Sequence, residues 1–239
     1  MINLSDRLKK IADEVEAGET VADIGTDHGF LPIYLWENGK SPKVIMTDVS
    51  AGSLEKARQN CTELHPDVHF DLRLGSGLEV IEPAEVDSVV LAGMGGILMS
   101  EILGADIEKA RSYKKLILQP RTDVGKLRFW LYDNGFKIIN EGLVRERKFI
   151  CEILTVIPRE IAITRQMNGD DIEYEFPHSL VDYGEPLLGE YLEKKKAVEE
   201  KILANMQKAR KQDPLAIRHQ EYRVSYIDYL IRANKRVNG

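Results

Sequence analysis

The chain has 239 residues, of which 43% are hydrophobic and 30% are charged, and its net charge is −6. This length predicts one sizeable core with an accessory element, and the overall charge argues against a uniformly basic nucleic-acid binder. The sequence has neither an apolar run long enough to span a bilayer nor the apolar core of a secretory signal, so we expect a cytoplasmic protein without a membrane partner. Its two cysteines, Cys61 and Cys151, lie far apart, and no metal-ligand spacing links them to the five histidines, so we expect no metal.

The first two-thirds of the chain alternates between strand and helix patterns. An amphipathic helix opens the chain around Leu8 and Ile11, with Asn3 or Ser5 as its cap. Strands are predicted over residues 21–24, 43–48, 69–74, 85–91, 115–118, 136–144 and 149–157, and helices from residue 30 and over 51–64, 97–103 and 124–133. This order predicts an α/β fold of the Rossmann-like class I methyltransferase type. Its seven-stranded sheet is mostly parallel and closes with an antiparallel hairpin at one edge.

The last third of the chain has a polar segment followed by two long helical patterns, and it is predicted to form a helical hairpin. A polar linker around residues 168–171 precedes a long helix from Leu187 to about Lys211. Asp213 and Pro214 supply an N-cap and a first-turn proline for a second helix. We therefore predict a methyltransferase-type domain over residues 1–158, followed by a linker and an antiparallel, coiled-coil-like hairpin over 159–239.

The hairpin contains two stripes at helical spacing, and the role of the second one, which contains tyrosines, has two possible interpretations. One stripe runs along the first helix through Leu188, Tyr191, Lys195, Val198, Ile202 and Met206, and a tyrosine stripe follows through Tyr222, Tyr226 and Tyr229, with Leu230 beside it. The tyrosines could stack on bases, although helical spacing is more typical of the hairpin seam, which is the interpretation we favour.

Charge is distributed unevenly along the chain. Residues 194–236 contain twelve Lys or Arg against five Asp or Glu, a local charge of +7 in an otherwise acidic protein. Such asymmetry is typical of RNA contact or of a solvated helical face. The candidate RNA-binding cations are Lys194, Lys195, Lys196, Lys208, Arg210 and Lys211.

The first strand and turn predict the cofactor class. The turn reads Asp23-x-Gly25-x-Asp27-x-Gly29, and Asp48 follows at the end of the next strand. A carboxylate at that position is placed to accept both hydroxyls of a ribose. The turn lacks the three-glycine cradle of a dinucleotide site, and its two carboxylates would repel a pyrophosphate. We therefore favour S-adenosyl-L-methionine, a cationic nucleoside without phosphates, over NAD.

Small or polar residues end the predicted strands. Because ligands of open α/β sheets bind at the carboxyl ends of the strands, these ends are the candidate site. The predicted cofactor-binding residues are Asp23, Gly25, Thr26, Asp27, His28, Asp48, Val49, Ser50, Gly75, Ser76, Gly77, Ala92, Gly93 and Met94. Gln119, Pro120 and Arg121 are candidates for the substrate pocket.

Several motifs resemble the bacterial tRNA (adenine(22)-N1)-methyltransferase family. They are I-G-T-D-H-G-F-L-P at residues 24–32, L-A-G-M-G-G at 91–96, L-Q-P at 118–120 and N-G-F at 134–136, followed by the basic hairpin. The resemblance covers nearly the whole chain, and it implies S-adenosyl-L-methionine-dependent methylation of adenine N1 in the D-arm region of tRNA. It also implies that Asp27 is the catalytic acidic residue. Gly29, where family members often have Ala, is a small departure.

The chemistry of the reaction agrees with a carboxylate in that position. Adenine N1 is unprotonated at neutral pH, so alignment matters more than a strong base. Asp27 could accept a hydrogen bond from the exocyclic amine, or it could be an Asx-turn residue that satisfies backbone amides. His28 could carry a proton or simply pack at the turn.

Two other function classes remain open from the sequence. One is a catalytically inert Rossmann-like module that binds RNA or protein, and the other is an NAD-dependent oxidoreductase. The sequence does not decide the oligomeric state, although a monomer is favoured.

Overall fold

The computed structural model describes residues 2–159 and 171–237. The strands are β1 (Val21–Ile24), β2 (Val44–Asp48), β3 (Asp71–Leu74), β4 (Ser88–Gly95), β5 (Lys115–Thr122), β6 (Phe136–Glu146) and β7 (Phe149–Pro158). The helices are α1 (Asp6–Asp13), α2 (Phe30–Glu37), α3 (Ala51–Leu64), α4 (Gly96–Gly104), α5 (Ile107–Ser112), α6 (Val124–Asp133), α7 (Ile172–Glu175), α8 (Ser179–Asp182), α9 (Leu188–Lys208) and α10 (Pro214–Val237). Among the described helices, none combines the length and apolar character that crossing a bilayer requires.

The seven strands form one sheet in the order β3-β2-β1-β4-β5-β7-β6. Strands β1 to β5 are parallel, while β7 runs antiparallel to both β5 and β6. This confirms the predicted Rossmann-like class and its closing hairpin. The strand order reverses beside β1, so the carboxyl ends of β1 and β4 form the switch point where such sheets bind ligands.

Helices cover both faces of the sheet. On one face, α4, α5 and α6 bury residues such as Met99 and Leu127 against Ala22 and Ile24. On the other, α1, α2 and α3 bury Ile11, Ala57 and their neighbours against Val21, Val90 and Ile117. Side chains alternate along a strand, so Asp23 points to the same face as Val21. That face is the one covered by α1.

The C-terminal helices pack on the β6–β7 hairpin. Their shared core joins Leu143 of β6 to Leu188 of α9 and Leu230 of α10. Contacts from Lys196 to Asp228 and from Glu199 to Gln220 show that α9 and α10 are antiparallel, as predicted. The predicted linker over residues 168–171 lies outside the described residues except for Asp171.

The start of α10 also matches its prediction. Asp213 Oδ1 accepts hydrogen bonds from the backbone N–H groups of Leu215 and Ala216, at 2.9 and 3.2 Å. Pro214 is the first residue of the helix. The side-chain cap and the proline therefore end the connection after α9, and the second helix begins there.

The predicted stripes of the hairpin need correction. In α9, Leu188 and Tyr191 are buried, but Val198 and Ile202 are 55% and 41% exposed because the hairpin extends beyond the sheet that covers its base. In α10, Tyr222 and Tyr229 are about half exposed. The seam between helices instead contains Ile227, Leu230 and Ile231.

Strand and helix ends shift where tertiary pairing overrides the local pattern. β3 begins at Asp71 rather than residue 69, and β4 runs over Ser88–Gly95 rather than 85–91. β5 continues to Thr122 because Ala92 and Gly95 of β4 pair with Gln119 and Thr122 through an irregular register. α9 ends at Lys208, a few residues before the predicted Lys211.

Candidate functional site

The turn after β1 holds two glycines in left-handed conformations. Gly25 has φ 78° and Gly29, which caps α2, has φ 71°. A Cβ on Gly25 would lie 2.6 Å from Met94 Cε, so the β4 end closes directly over this turn. Positive φ disfavours side chains at both positions. Gly25 is partly exposed, so a ligand can approach its backbone, whereas Gly29 is buried beside Met46 and Ala57.

Asp48 joins the ends of β1 and β2. Its Oδ2 accepts a hydrogen bond from the Asp27 backbone N–H at 3.2 Å, and its Oδ1 accepts one from Ser50 at 2.8 Å. Because each carboxylate oxygen has two acceptor positions, both oxygens can accept a further hydrogen bond. The arrangement suits the two hydroxyls of a ribose, as the sequence predicted.

Asp23 is a buried carboxylate beneath the same turn. The Thr26 hydroxyl donates a hydrogen bond to its Oδ2 at 2.8 Å. Burial raises the pKa of Asp23 to about 6, and the Asp48 charge adds to the shift, while the Thr26 hydrogen bond and the Arg7 charge oppose it. A cationic ligand at this position would stabilise the ionised form.

The carboxyl ends of β2, β3 and β4 lie beside that of β1 and complete the candidate site. Ile24 is paired with Thr47 on one side and Leu91 on the other, and Asp48 is paired with Leu74, so the predicted residues of four strands converge. Of these, Ala92, Gly93 and Met94 are partly exposed, Ser76 is exposed, and Val49 is 74% exposed. Gly77 has φ 52°. A Cβ on Gly75 would overlap Val80 at 2.2 Å, which explains the small residue there.

The candidate catalytic residue Asp27 points outward. Its side chain is 56% exposed and lies 3.5 Å from His28 Nε2 and 3.6 Å from Lys56 Nζ. Among the described residues these are its carboxylate contacts, so the Asx-turn alternative, in which it would accept backbone amides, is not what the structure has. The His28 ring stacks on Phe30 with centroids 5.4 Å apart.

At the carboxyl end of β5, the side chain of Gln119 is used in hydrogen bonds within the protein. Gln119 is buried, its Oε1 accepts from Arg7 Nη1 at 3.0 Å, and its Nε2 donates to the Pro120 carbonyl at 2.9 Å. Gln119 therefore supports the edge rather than offering a free amide. Arg121 remains accessible, with its guanidinium 3.6 Å from where a Cβ on Gly93 would lie.

A cavity of about 1230 Å³ opens between the β5 end, the β6–β7 hairpin and the α9–α10 hairpin. Its lining includes the predicted Pro120, Arg121, Lys194 and Lys195. It also includes acidic residues such as Glu146, so its charge is mixed. The cavity is large enough for a nucleotide. None of the predicted cofactor-binding residues, all of which lie in the described part of the chain, lines it, and its link to them is through β5, whose Pro120 is paired with Met94 of β4.

The predicted RNA-binding cations fall into two groups. Lys194 and Lys196 form ion pairs with Glu190 and Asp228, at 2.8 and 2.6 Å, and Lys195 lies over the Phe176 and Tyr191 rings. The other three, Lys208, Arg210 and Lys211, are exposed where α9 ends. Lys194 and Lys196 are therefore paired within the hairpin, whereas the second group has no ion pair among the described residues and is available to a polyanion.

Sequence reasoning missed Arg7 and a buried ion cluster. Arg128 is fully buried, and it donates to Glu141 at 2.6 Å and to Glu152 at 2.5 Å. Tyr191 of α9 donates to the other oxygen of Glu152 at 2.5 Å. No local spacing marks residues so distant in sequence, although Arg128 lies between the apolar residues Leu127 and Phe129 of α6, which is a weak signal.

Comparison with known proteins agrees with this geometry. Residues 4–154 match the family described as "Methyltransferase domain". The chain is 35% identical over 153 residues to the tRNA (adenine(22)-N(1))-methyltransferase of Bacillus subtilis, and the match covers 64% of each chain, a little under two-thirds.

Solved structures match over a greater length. A Streptococcus pneumoniae protein in complex with S-adenosyl-L-methionine has a TM-score of 0.77 and 28% identity, covering 98% of this chain and 99% of that one. The crystal structure of the B. subtilis m1A22 tRNA methyltransferase TrmK has a TM-score of 0.77 and 25% identity, covering 99% of both chains. The chain therefore belongs to the methyltransferase domain family, and its predicted resemblance to the tRNA (adenine(22)-N1)-methyltransferases is confirmed.

Proposed function

We propose that this chain is an S-adenosyl-L-methionine-dependent methyltransferase that modifies N1 of adenine 22 in tRNA. The observation that carries the proposal is the pair of carboxylates at the sheet edge, Asp23 and Asp48, on either side of the glycine turn. The relatives and the S. pneumoniae complex support the cofactor and the substrate. The proposal includes a monomeric, cytoplasmic enzyme.

The residues at the edge fit the proposed cofactor. Asp48 has acceptor capacity for a ribose, Asp23 suits the ammonium of an amino-acid end, and exposed Val49 offers an apolar surface for adenine. Gly25 and Gly93, both with positive φ, allow close approach of the backbone. When bound, S-adenosyl-L-methionine supplies a methyl group activated by its sulfonium.

The protein's own contribution to the reaction is alignment and charge. Adenine N1 has a free lone pair at neutral pH, so holding the base in line with the methyl group can supply much of the lowering of the barrier, about 7–11 kcal/mol at most. A carboxylate near the exocyclic amine stabilises the positive charge that develops on the ring. We assign that role to Asp27, whose carboxylate is exposed at the turn between the two edge aspartates.

Access to N1 requires the base to leave its stack. N1 lies on the Watson–Crick edge, so the nucleotide must be unpaired or extruded, at a cost of a few kcal/mol. The cavity beside Arg121 can receive it. Phosphate contacts from Lys208, Arg210 and Lys211 would offset the cost by holding the tRNA backbone.

Nucleoside mass spectrometry tests the proposal directly. Unmodified tRNA is incubated with the protein and a methyl-labelled donor, digested and analysed. We expect label in 1-methyladenosine, absent when the transcript carries guanine in place of adenine 22. Label in another nucleoside would contradict the substrate, and no label in any nucleoside would contradict the activity.

A further inference from the structure

Arg7 reaches from α1 to the carboxyl end of the sheet. Its Nη1 donates to Gln119 Oε1 at 3.0 Å, and its Nε lies 3.8 Å from Glu146 Oε1. The side chain is only 18% exposed, and it borders the cavity at the β5 end. Two elements distant in sequence therefore hold this guanidinium at one place and in one orientation.

That place is at the same end of the sheet as Asp23, two strands away, because β4 lies between β1 and β5 and its Ala92 is paired with Gln119. Asp23 points to the sheet face covered by α1, and the positive charge of Arg7 lowers its pKa against the effect of burial. In residues 2–159 and 171–237, the side-chain contacts of Arg7 are with Gln119 and Glu146, so Nη2 keeps its hydrogens for another acceptor. The free end of the guanidinium is thus available on the sheet face that carries Asp23.

The proposed cofactor needs such a cation. Its amino-acid end carries a carboxylate as well as an ammonium, and the aspartates of the edge would repel that carboxylate. Lys56 lies 3.6 Å from Asp27, and Arg121 lies against Gly93. Arg7 also has a carboxylate neighbour, Glu146 at 3.8 Å, but it extends from the helix that covers the Asp23 face of the sheet. Its planar fork matches a carboxylate better than the ammonium of a lysine would.

We propose that Arg7 is a cofactor-binding residue that holds the carboxylate of S-adenosyl-L-methionine, while Asp23 holds the ammonium. This inference rests on the proposed function. Gln119 and Glu146 then have a positioning role, because they hold the guanidinium in place before the cofactor binds. It also explains why a strand-end glutamine is buried and turned towards α1.

Two ligands, one with and one without the amino-acid end, test whether Arg7 binds the carboxylate or only stabilises the fold. S-adenosylhomocysteine keeps the carboxylate, whereas 5′-methylthioadenosine lacks the whole amino-acid end. Isothermal titration is run with both on the full chain and on the Arg7→Gln variant. We expect S-adenosylhomocysteine to bind about 10- to 100-fold more weakly to the variant, the range for loss of a charged hydrogen bond, and 5′-methylthioadenosine to bind unchanged.

Two further variants complete the design. Arg58→Gln removes an exposed cation on α3 and should leave both affinities unchanged. Arg7→Lys keeps the charge without the fork, so the loss for S-adenosylhomocysteine should be smaller than in Arg7→Gln. This variant also gives an answer if Arg7→Gln does not fold.

The outcomes are distinguishable. Equal weakening of both ligands, or no weakening of S-adenosylhomocysteine in either Arg7 variant, would overturn the assignment of Arg7. Failure of the unaltered protein to bind S-adenosylhomocysteine at all would overturn the proposed function and the Arg7 assignment with it.

Discussion

The backbone N–H of Asp27 donates a hydrogen bond to Oδ2 of Asp48 at 3.2 Å, although the two residues belong to different strand ends. This bond holds the turn after β1 against the end of β2. The Asp27 backbone has φ 49°, and its side chain is 56% exposed. Asp48 thus links the two strand ends, whereas the exposed Asp27 carboxylate lies beside His28 and Lys56.

Replacing Asp27 by asparagine tests the catalytic role. Asparagine tolerates positive φ and keeps the backbone N–H to Asp48, so the turn should persist. We expect kcat for tRNA methylation to fall about 100-fold because the charge facing the exocyclic amine is lost. Affinity for S-adenosylhomocysteine should stay within about 3-fold, since the binding groups remain.

Lys56→Gln is the matched control for Asp27. It removes an exposed ion-pair partner of Asp27 without touching the carboxylate, and exposed pairs contribute little. Steady-state kinetics of both variants provides the comparison. Wild-type kcat in Asp27→Asn would remove this residue from the mechanism.

The raised pKa of Asp23 predicts a specific dependence of stability on pH. Between the ordinary carboxyl pKa and about 6, the folded protein binds more protons than the unfolded chain, so this residue's contribution to stability falls as pH rises through that window. A pKa of about 6 for Asp23 corresponds to a destabilisation on the order of 2–3 kcal/mol above pH 6.

Asp23→Asn should therefore be stabilising at high pH. Asparagine can still accept from Thr26 but carries no charge to desolvate. In urea unfolding, we expect the variant to exceed the wild type in stability at pH 8 and to match it near pH 4, while it binds S-adenosylhomocysteine more weakly. A variant with the same gain at both pH values would show that desolvation of the charge is not the cause.

The exposed cations at the end of α9 predict how tRNA binding responds to salt. Reversing Lys208, Arg210 and Lys211 to Glu should weaken tRNA affinity and reduce the slope of log K against log salt by about 1 for each phosphate that the variant no longer neutralises. Binding is measured over a salt series. Reversal of Lys9, Arg58 and Lys137, three exposed cations of the sheet domain, changes the net charge equally and is the control. If both triple variants weaken tRNA affinity equally, the exposed cations at the end of α9 are not a specific RNA contact.

The buried Arg128 cluster predicts a large loss of stability from one substitution. Besides Glu141 and Glu152, Arg128 donates to the backbone carbonyls of Tyr174 and Glu175. Arg128→Met leaves two buried carboxylates unpaired and should cost about 3–5 kcal/mol in urea unfolding. Adding Glu141→Gln and Glu152→Gln removes those charges and should restore part of the loss. If Arg128→Met is as stable as the wild type, the cluster does not stabilise the packing of α6 against β6, β7 and the segment at Tyr174 and Glu175.

Local patterns were enough to predict most of the fold and the strand ends that hold the candidate cofactor residues. Ser50 caps α3, which runs over residues 51–64 as predicted, and α6 matches its predicted range. Asp48 lies at a strand end because the strand pattern stops there. These features depend on neighbours a few residues away, through helix caps, glycine conformations and alternating burial, so a single sequence carries them.

Contacts between distant residues decided the rest. Arg7 meets Gln119 112 positions further along the chain, and the direction of the Asp27 carboxylate depends on Asp48 and Lys56. Tyr226 donates to the Phe176 carbonyl and Tyr222 donates to Glu173, so both tyrosines contact a segment outside the hairpin. Periodicity shows which residues share a face of one helix or strand. The pairing of charged groups from different elements is decided only by how those elements pack.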